Sequence, residues 1–140
     1  MRALGIDVGQ RRIGLAISDA TRTLARPLET IAVKDAREAI ELVGRAIDRL
    51  ASEDDGLETI VVGVPARLDG TPTTTTAQVE AFVAALKART AIAVVTEGER
   101  LTSREAESRL ARRERDWRKR KAIIDAAAAA IILQDYLDRS

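Results

Sequence analysis

The stretch that decides the fold is GIDVGQRRIGLAISD, residues 5–19. It predicts the end of one β-strand over residues 2–7 and the whole of a second over residues 12–18, the second with isoleucine or leucine at every other position. The two predicted strands are separated by a turn of only a few residues. So short a connection predicts an antiparallel hairpin.

The rest of the chain alternates between helix-like and strand-like patterns. The further predicted elements are strands 28–33, 59–64 and 92–96 and helices 35–51, 77–89, 102–113 and 120–139, with Pro27 at the start of the third strand. The order βββ-α-β-α-β-α-α predicts an α/β protein whose mixed sheet is flanked by helices. We expect a single domain over residues 1–140.

Composition restricts the chemistry that this domain can perform. Of its 140 residues, 46% are hydrophobic and 32% are charged, which is typical of a globular domain. Cysteine and histidine are absent from the sequence, which excludes disulfides, thiol nucleophiles, Cys/His metal sites and imidazole catalysis. The few aromatic residues argue against a base-stacking platform. Carboxylates, Arg, Lys, hydroxyls, backbone groups or an oxygen-bound metal remain.

The sequence also suggests where the protein is located. Its longest apolar run, residues 126–133, is shorter than the roughly 20 residues that span a bilayer. An acid, Asp7, interrupts the apolar stretch at the N-terminus, which is unlike a signal peptide. We therefore expect a cytoplasmic protein with no membrane partner.

Positive charge is concentrated in one segment, residues 104–121. It holds nine basic and four acidic residues, a local net charge of +5 in a chain whose total is +1. Such a segment suits a polyanionic partner, because Arg and Lys neutralise phosphates. The structural alternative is a solvated helix face.

Two acids occur where ligand sites form in α/β sheets. Asp7 ends the first predicted strand, and Gly5, Gly9 and Gly14 around it leave room for a backbone or a phosphate to approach closely. Glu99 follows the fifth predicted strand. The alternatives are a turn aspartate and an acid at a helix N-terminus, and Glu97 competes with Glu99 for either role.

The third acid, Asp125, is the one charge in the helical segment AIIDAAAAAIIL, residues 122–133. A buried carboxylate without a partner is costly, so Asp125 either pairs with Lys121 or lines a polar site against the sheet. The alanines around it indicate that this helix packs close to the sheet. Three acids from separate elements suit Mg²⁺ or Mn²⁺, which prefer oxygen ligands and support phosphoryl displacement.

Four motifs resemble the YqgF/RuvX family of the ribonuclease H-like superfamily across nearly the whole chain. They are GIDVGQRRIGLAISD at 5–19, VVGVPARLDGT at 61–71, ERLTSREAE at 99–107 and IIDAAAAAIILQDYL at 123–137. The resemblance implies a five-stranded ribonuclease H-like sheet with the first three strands antiparallel. It also implies that Asp7, Glu99 and Asp125 are the catalytic, metal-binding acids.

The activity implied by the resemblance is phosphodiester hydrolysis on structured nucleic acid. Family members are described as nucleases that process the 5′ end of pre-16S rRNA and as Holliday junction resolvases that act on branched DNA. Contacts to the phosphate backbone are expected from Arg11, Arg12, Arg100, Arg112, Arg113, Arg118, Lys119, Arg120 and Lys121. The oligomeric state, monomer or homodimer, stays open.

Two positions depart from the family pattern, and two other functions remain as alternatives. Gly98 stands where the family commonly has Asp, and Ala122 where it tends to have Gly. The spacing of Asp7, Gly9 and Gly14 also resembles the phosphate loop of actin-like kinases and ATPases, which need two such domains facing each other. A non-catalytic RNA-binding module is the other alternative.

Overall fold

The computed structural model describes the backbone of residues 1–64, 74–98 and 117–139, with side chains for 1–64, 76–98 and 125–139. Its strands are β1 (Arg2–Val8), β2 (Arg12–Ser18), β3 (Ala25–Ala32), β4 (Leu57–Val64) and β5 (Ala93–Gly98). Its helices are α1 (Ala36–Ser52), α2 (Thr74–Arg89) and α3 (Trp117–Arg139). The helix predicted over residues 102–113 lies outside the described residues. Within the described part, no helix is long and apolar enough to cross a bilayer.

The five strands form one mixed sheet in the order β3-β2-β1-β4-β5. β1 and β3 both pair antiparallel with β2, whereas β4 pairs parallel with β1 and with β5. The predicted sheet, with its first three strands antiparallel, is therefore confirmed. Since β1, β4 and β5 run in the same direction, their C-terminal ends share one edge of the sheet.

The two faces of the sheet bury different side chains. One face carries large aliphatic residues such as Leu4, Ile6 and Leu15, which form the main core with α1 and α2. The opposite face carries small residues such as Ala3 and Ala16, which pack against α3. Alternation along each strand produces this division, because successive side chains point to opposite faces.

The third strand begins earlier than predicted, at Ala25 rather than residue 28, so Pro27 lies inside it rather than at its start. β3 is an edge strand, and its pairing with β2 shifts register between Leu15 and Ala16, next to the proline. A proline is tolerated at an edge or a bulge because its missing N–H breaks no ladder bond there. The sequence alone could not show that the strand continues through it.

Other boundaries differ from the predictions by a few residues. β4 begins at Leu57 and α2 at Thr74, both earlier than predicted. Asp35 is the N-cap of α1 rather than its first residue, since its carboxylate accepts a hydrogen bond from the Glu38 N–H at 2.8 Å. These differences leave the order of the described elements unchanged.

Candidate active site

Asp7 lies at the C-terminal end of β1, on the face that α3 covers. It shares that face with Ala3 and Gly5, because every second residue of a strand points the same way. Its neighbour across the hairpin is Gly14 of β2, with which it is in register. Asp7 is half-buried, so a carboxylate stands at the rim of the sheet beside a glycine that has no side chain.

The backbone of α3 lies directly on that glycine. A Cβ built on Gly14 would collide with the carbonyl of Asp125, and one built on Gly5 would come within 2.7 Å of the Ala129 carbonyl oxygen. The helix therefore contacts β1 and β2 at backbone distance, as the alanine-rich sequence predicts. Because Gly14 is in register with Asp7, this contact places the Asp125 backbone over the residue of β2 that pairs with Asp7.

The Asp125 carboxylate forms an ion pair with Arg12. Nε of Arg12 donates to Oδ2 of Asp125 at 2.7 Å. The Asp125 side chain is 21% exposed and the Arg12 side chain 40% exposed, so the pair lies at the rim of the site and not in the core. Arg12 is the partner that the structure records for this acid among the described residues.

Arg12 and Asp125 both line a polar cavity of about 350 Å³. Its lining residues are Gly9, Gln10, Arg11, Arg12 and Asp125. Four of these residues belong to the turn between β1 and β2 or to the start of β2. The hairpin thus brings two arginines and one helix carboxylate to the same opening.

A larger and mainly apolar cavity of about 700 Å³ borders the same turn. It shares Gly9 and Gln10 with the polar cavity and is otherwise lined mostly from α1 and α2, with Phe82 among the lining residues. The β1–β2 turn therefore lines both a charged opening and an apolar one. Of the predicted acids whose position the structure describes, Asp125 lines the charged opening and none lines the apolar one.

The structure describes several of the predicted site residues only in part or not at all. Glu99, Arg100, Arg112 and Arg113 lie outside the described residues. For the group Arg118, Lys119, Arg120 and Lys121 the structure describes only the backbone, which lies in the first part of α3. The Lys121–Asp125 pairing is therefore not tested, although Asp125 has a recorded partner in Arg12.

Glu97, the alternative to Glu99, is buried and 5% exposed at the end of β5. It forms an ion pair with Arg139 in the last turn of α3. This pair ties the edge strand β5 to the end of the helix. Such a contact gives Glu97 a structural role that does not involve the described site residues.

The donor set of the site suits a hard cation. Asp7 and Asp125 offer carboxylate oxygens, and Mg²⁺ commonly takes one or two carboxylates and keeps several waters. Within the described residues no group of three acidic or other metal-binding side chains assembles, so a third protein ligand would have to come from elsewhere in the chain. The closely packed Gly14 holds the Asp125 main chain in place beside β2.

Two side chains at this face have roles that sequence reasoning missed. Arg12 is predicted only as a phosphate contact, but it pairs with a candidate catalytic acid. Gln134 bonds the β2–β3 turn twice, accepting from the Ala25 N–H and donating to the Thr23 carbonyl, both at 2.9 Å. A lone glutamine after the apolar run of α3 is the signal that could have identified it.

Comparison with known proteins gives full-length matches. The family model described as "RuvX: Holliday junction resolvase" matches residues 1–139. A relative from Halalkalibacterium halodurans, named "Putative pre-16S rRNA nuclease", is 40% identical over 99% of this chain and 97% of its own length. One of the same name from Geobacillus kaustophilus is 38% identical over 99% of this chain and 98% of its own.

Among solved structures, the chain is similar to RuvC of Thermus thermophilus in complex with a Holliday junction substrate. The TM-score is 0.56 at 16% identity, over 99% of this chain and 94% of that one. Another structure of RuvC from the same organism gives a TM-score of 0.55. At this identity the likeness shows the fold, and it confirms the predicted ribonuclease H-like architecture.

Proposed function

This chain belongs to the RuvX family of Holliday junction resolvases, and from that premise we propose that it is a metal-dependent endonuclease acting on structured nucleic acid. The observation that carries the proposal is the contact between α3 and β2. The Asp125 backbone lies on Gly14, and Gly14 is in register with Asp7. Two acid-bearing positions from separate elements thereby lie on neighbouring backbone at one edge of the sheet.

In this proposal the acids hold Mg²⁺ or Mn²⁺. Asp7 and Asp125 are two of the ligands, and Glu99 is the third acid proposed for the same ion. A bound ion would supply an acidified water and neutralise charge on the phosphodiester. The chain's own contribution is to fix the two aspartates on a rigid strand and a rigid helix, which keeps them together before the substrate arrives.

The substrate is held through its phosphates. Arg11 and Arg12 border the cavity beside Asp125, and Arg100 and the basic segment 104–121 are proposed as further backbone contacts. Contacts to phosphates position a strand but read no sequence, so selectivity would come from the shape of the nucleic acid. We therefore expect cleavage at structured elements such as a stem end.

The preferred substrate is the 5′ end of pre-16S rRNA, because relatives matched almost end to end carry that name. Four-way DNA is the second candidate, favoured by the family description and by the likeness to RuvC. Processing of rRNA would place the protein in the cytoplasm. A two-fold homodimer would suit cleavage of opposing strands of a junction, whereas a monomer suffices for one cut in RNA.

A cleavage assay with two labelled substrates tests this proposal. A precursor rRNA 5′ leader and a four-way DNA junction are incubated with Mg²⁺, Mn²⁺ or EDTA. Wild type is compared with Asp7→Asn and Asp125→Asn, and Asp135→Asn on the same helix is the matched control. Replacing a residue that only hydrogen-bonds a metal ligand typically lowers activity by about 10–100-fold. Replacing a ligand itself should cost more, so we expect each site variant to lose at least about 100-fold in cleavage rate.

The outcomes separate the candidate functions. Metal-dependent cleavage that is lost in both site variants and kept in Asp135→Asn supports the site, and the substrate cut faster identifies the class. Binding without cleavage by wild type supports the RNA-binding module instead. Cleavage that persists in Asp7→Asn and Asp125→Asn contradicts the assignment of the acids.

A further inference from the structure

Arg12 occupies the position that a cation would take on Asp125. Its Nε donates to Oδ2 of that carboxylate at 2.7 Å. Its backbone is fixed, because Arg12 begins β2, pairs with Ala32 and accepts a hydrogen bond from the Gly9 N–H at 2.9 Å. The main chain therefore cannot carry the guanidinium away, and only the side chain can move.

The Arg12 side chain has space to move, and a bound cation would repel it. Arg12 is 40% exposed and lines the cavity of about 350 Å³, so its guanidinium can rotate into the opening without crossing the core. A divalent ion on Asp125 would place a second positive charge within bonding distance of the same carboxylate. Two like charges this close repel each other, so the ion and Arg12 compete for Asp125.

We propose that Arg12 is an exchangeable counter-ion of Asp125. Without metal it neutralises the carboxylate and holds it at the rim of the cavity. When a divalent ion binds, Arg12 yields the carboxylate and turns its guanidinium to a substrate phosphate, which a planar fork of donors suits well. This inference rests on the proposed metal-dependent function and gives Arg12 a second role in that site, as a positioning residue for Asp125.

The exchange links metal binding to substrate binding. Arg12 opposes the ion in the free protein, and a phosphate that attracts Arg12 removes this opposition. By linkage, the nucleic acid then tightens metal binding, and the metal tightens nucleic-acid binding by the same factor. Part of this coupling should disappear when position 12 carries no charge.

Calorimetric titration with Mn²⁺, in the absence of nucleic acid, tests the exchange without relying on activity. Arg12→Gln should bind Mn²⁺ about fivefold more tightly than wild type, the amount expected from removing a partly exposed ion pair. Arg12→Lys should stay within about twofold of wild type, because an ammonium can take the same place. Arg11→Gln, from the same turn, should also change the affinity by about twofold or less.

A second measurement uses cleavage. At nucleic-acid concentrations well below KM, where metal binds the free protein, Arg12→Gln should reach half-maximal rate at a lower Mn²⁺ concentration than wild type, and its KM for nucleic acid should rise. A purely structural role of Arg12 would not lower the metal requirement and raise KM together.

The result that overturns the proposal is Mn²⁺ affinity in Arg12→Gln that equals or falls below that of wild type. That finding would mean that Arg12 holds Asp125 in place for the ion. An equal gain in Arg11→Gln would also overturn it, since the effect would then be one of general charge. Failure of the proposed function is a different result, in which wild type neither binds Mn²⁺ nor cleaves either substrate.

Discussion

The two faces of the sheet are built from side chains of different size, and they do different work. Under α1 and α2 the sheet presents fully buried Leu4, Ile6 and Leu15, each of which contributes on the order of 1.5–3 kcal/mol by burial. Under α3 it presents Gly5 and Gly14, which contribute no side-chain burial. The glycines instead allow close approach, because they let the backbone of α3 touch the strands.

We call the face under α3 the thin face and the face under α1 and α2 the thick face. The difference between them shows that the candidate site depends on the thin face. A helix packed on leucine side chains is held away from the strands, whereas α3 contacts the sheet through its carbonyls over Gly5 and Gly14. That close approach sets the Asp125 backbone over Gly14, the partner of Asp7, and within reach of Arg12. The thick face should therefore govern stability, and the thin face should govern activity together with stability.

Gly14→Ala should have the largest effect. The added methyl group would collide with the Asp125 main chain, which cannot move aside as a flexible side chain could. We expect a loss of about 3 kcal/mol in the free energy of unfolding and of nearly all nuclease activity. Urea unfolding followed by circular dichroism measures the first quantity, and the cleavage assay measures the second.

Gly98→Ala is the matched control for that substitution. A Cβ at Gly98 would meet no atom within 4 Å among the described residues. Its unfolding free energy should stay within about 0.5 kcal/mol of wild type. If both glycine variants unfold at the same urea concentration as wild type, the close approach of α3 is not what holds the thin face together.

Leu86→Ala tests the thick face, which lies opposite the face that carries Asp7. Leu86 lies in α2 and is fully buried, so truncation should cost about 3 kcal/mol of unfolding free energy. At a temperature where the variant remains folded, kcat should stay close to that of wild type, because α2 supplies none of the proposed ligands. A loss of kcat as large as that of Gly14→Ala would show that the two faces are not functionally distinct.

Asp19→Asn should have a small effect that depends on pH. The carboxylate of Asp19 accepts from the Thr23 N–H at 2.7 Å and the Leu24 N–H at 3.3 Å, in the turn that Gln134 of α3 also bonds. The Thr23 hydrogen bond is the main cause that lowers the pKa of Asp19 below its ordinary value. Wild type should therefore be slightly more stable than the variant at neutral pH.

The sign of the pH dependence follows from the lowered pKa. The charged form is favoured in the folded protein, so its stabilisation is present above the ordinary pKa and is lost as pH falls through the lowered one. The difference in urea midpoint between wild type and Asp19→Asn should shrink below about pH 4. A difference that grows on acidification would contradict this role of the carboxylate.

The sequence predicted most of the fold because its patterns are local. The hairpin follows from alternating residues and a short turn, and α1 from a helical stripe over residues 35–51. The start of β3 was missed because tolerance of Pro27 depends on β3 being an edge strand with a shifted register, and neither property is local. The presence of a strand or helix is determined largely by neighbouring residues, whereas its exact ends depend on the elements that pack against it.

The site was predicted only in part for the same reason. Asp7 and Asp125 stand out as acids in apolar surroundings, and the structure brings their elements together. The Arg12–Asp125 pair joins residues 113 positions apart, and local spacing cannot predict such a contact. Gly14 is recognisable as room for close approach, but which backbone fills that room is decided by the docking of α3.

A crystal structure of the protein soaked with Mn²⁺, with data collected at an anomalous wavelength, tests the central claim most directly. Our account predicts one anomalous peak bonded to carboxylate oxygens of both Asp7 and Asp125, with the guanidinium of Arg12 turned away from Oδ2 of Asp125. A peak elsewhere, or no peak at saturating Mn²⁺ while Arg12 still holds Asp125, would contradict the assignment of these two acids to a metal site.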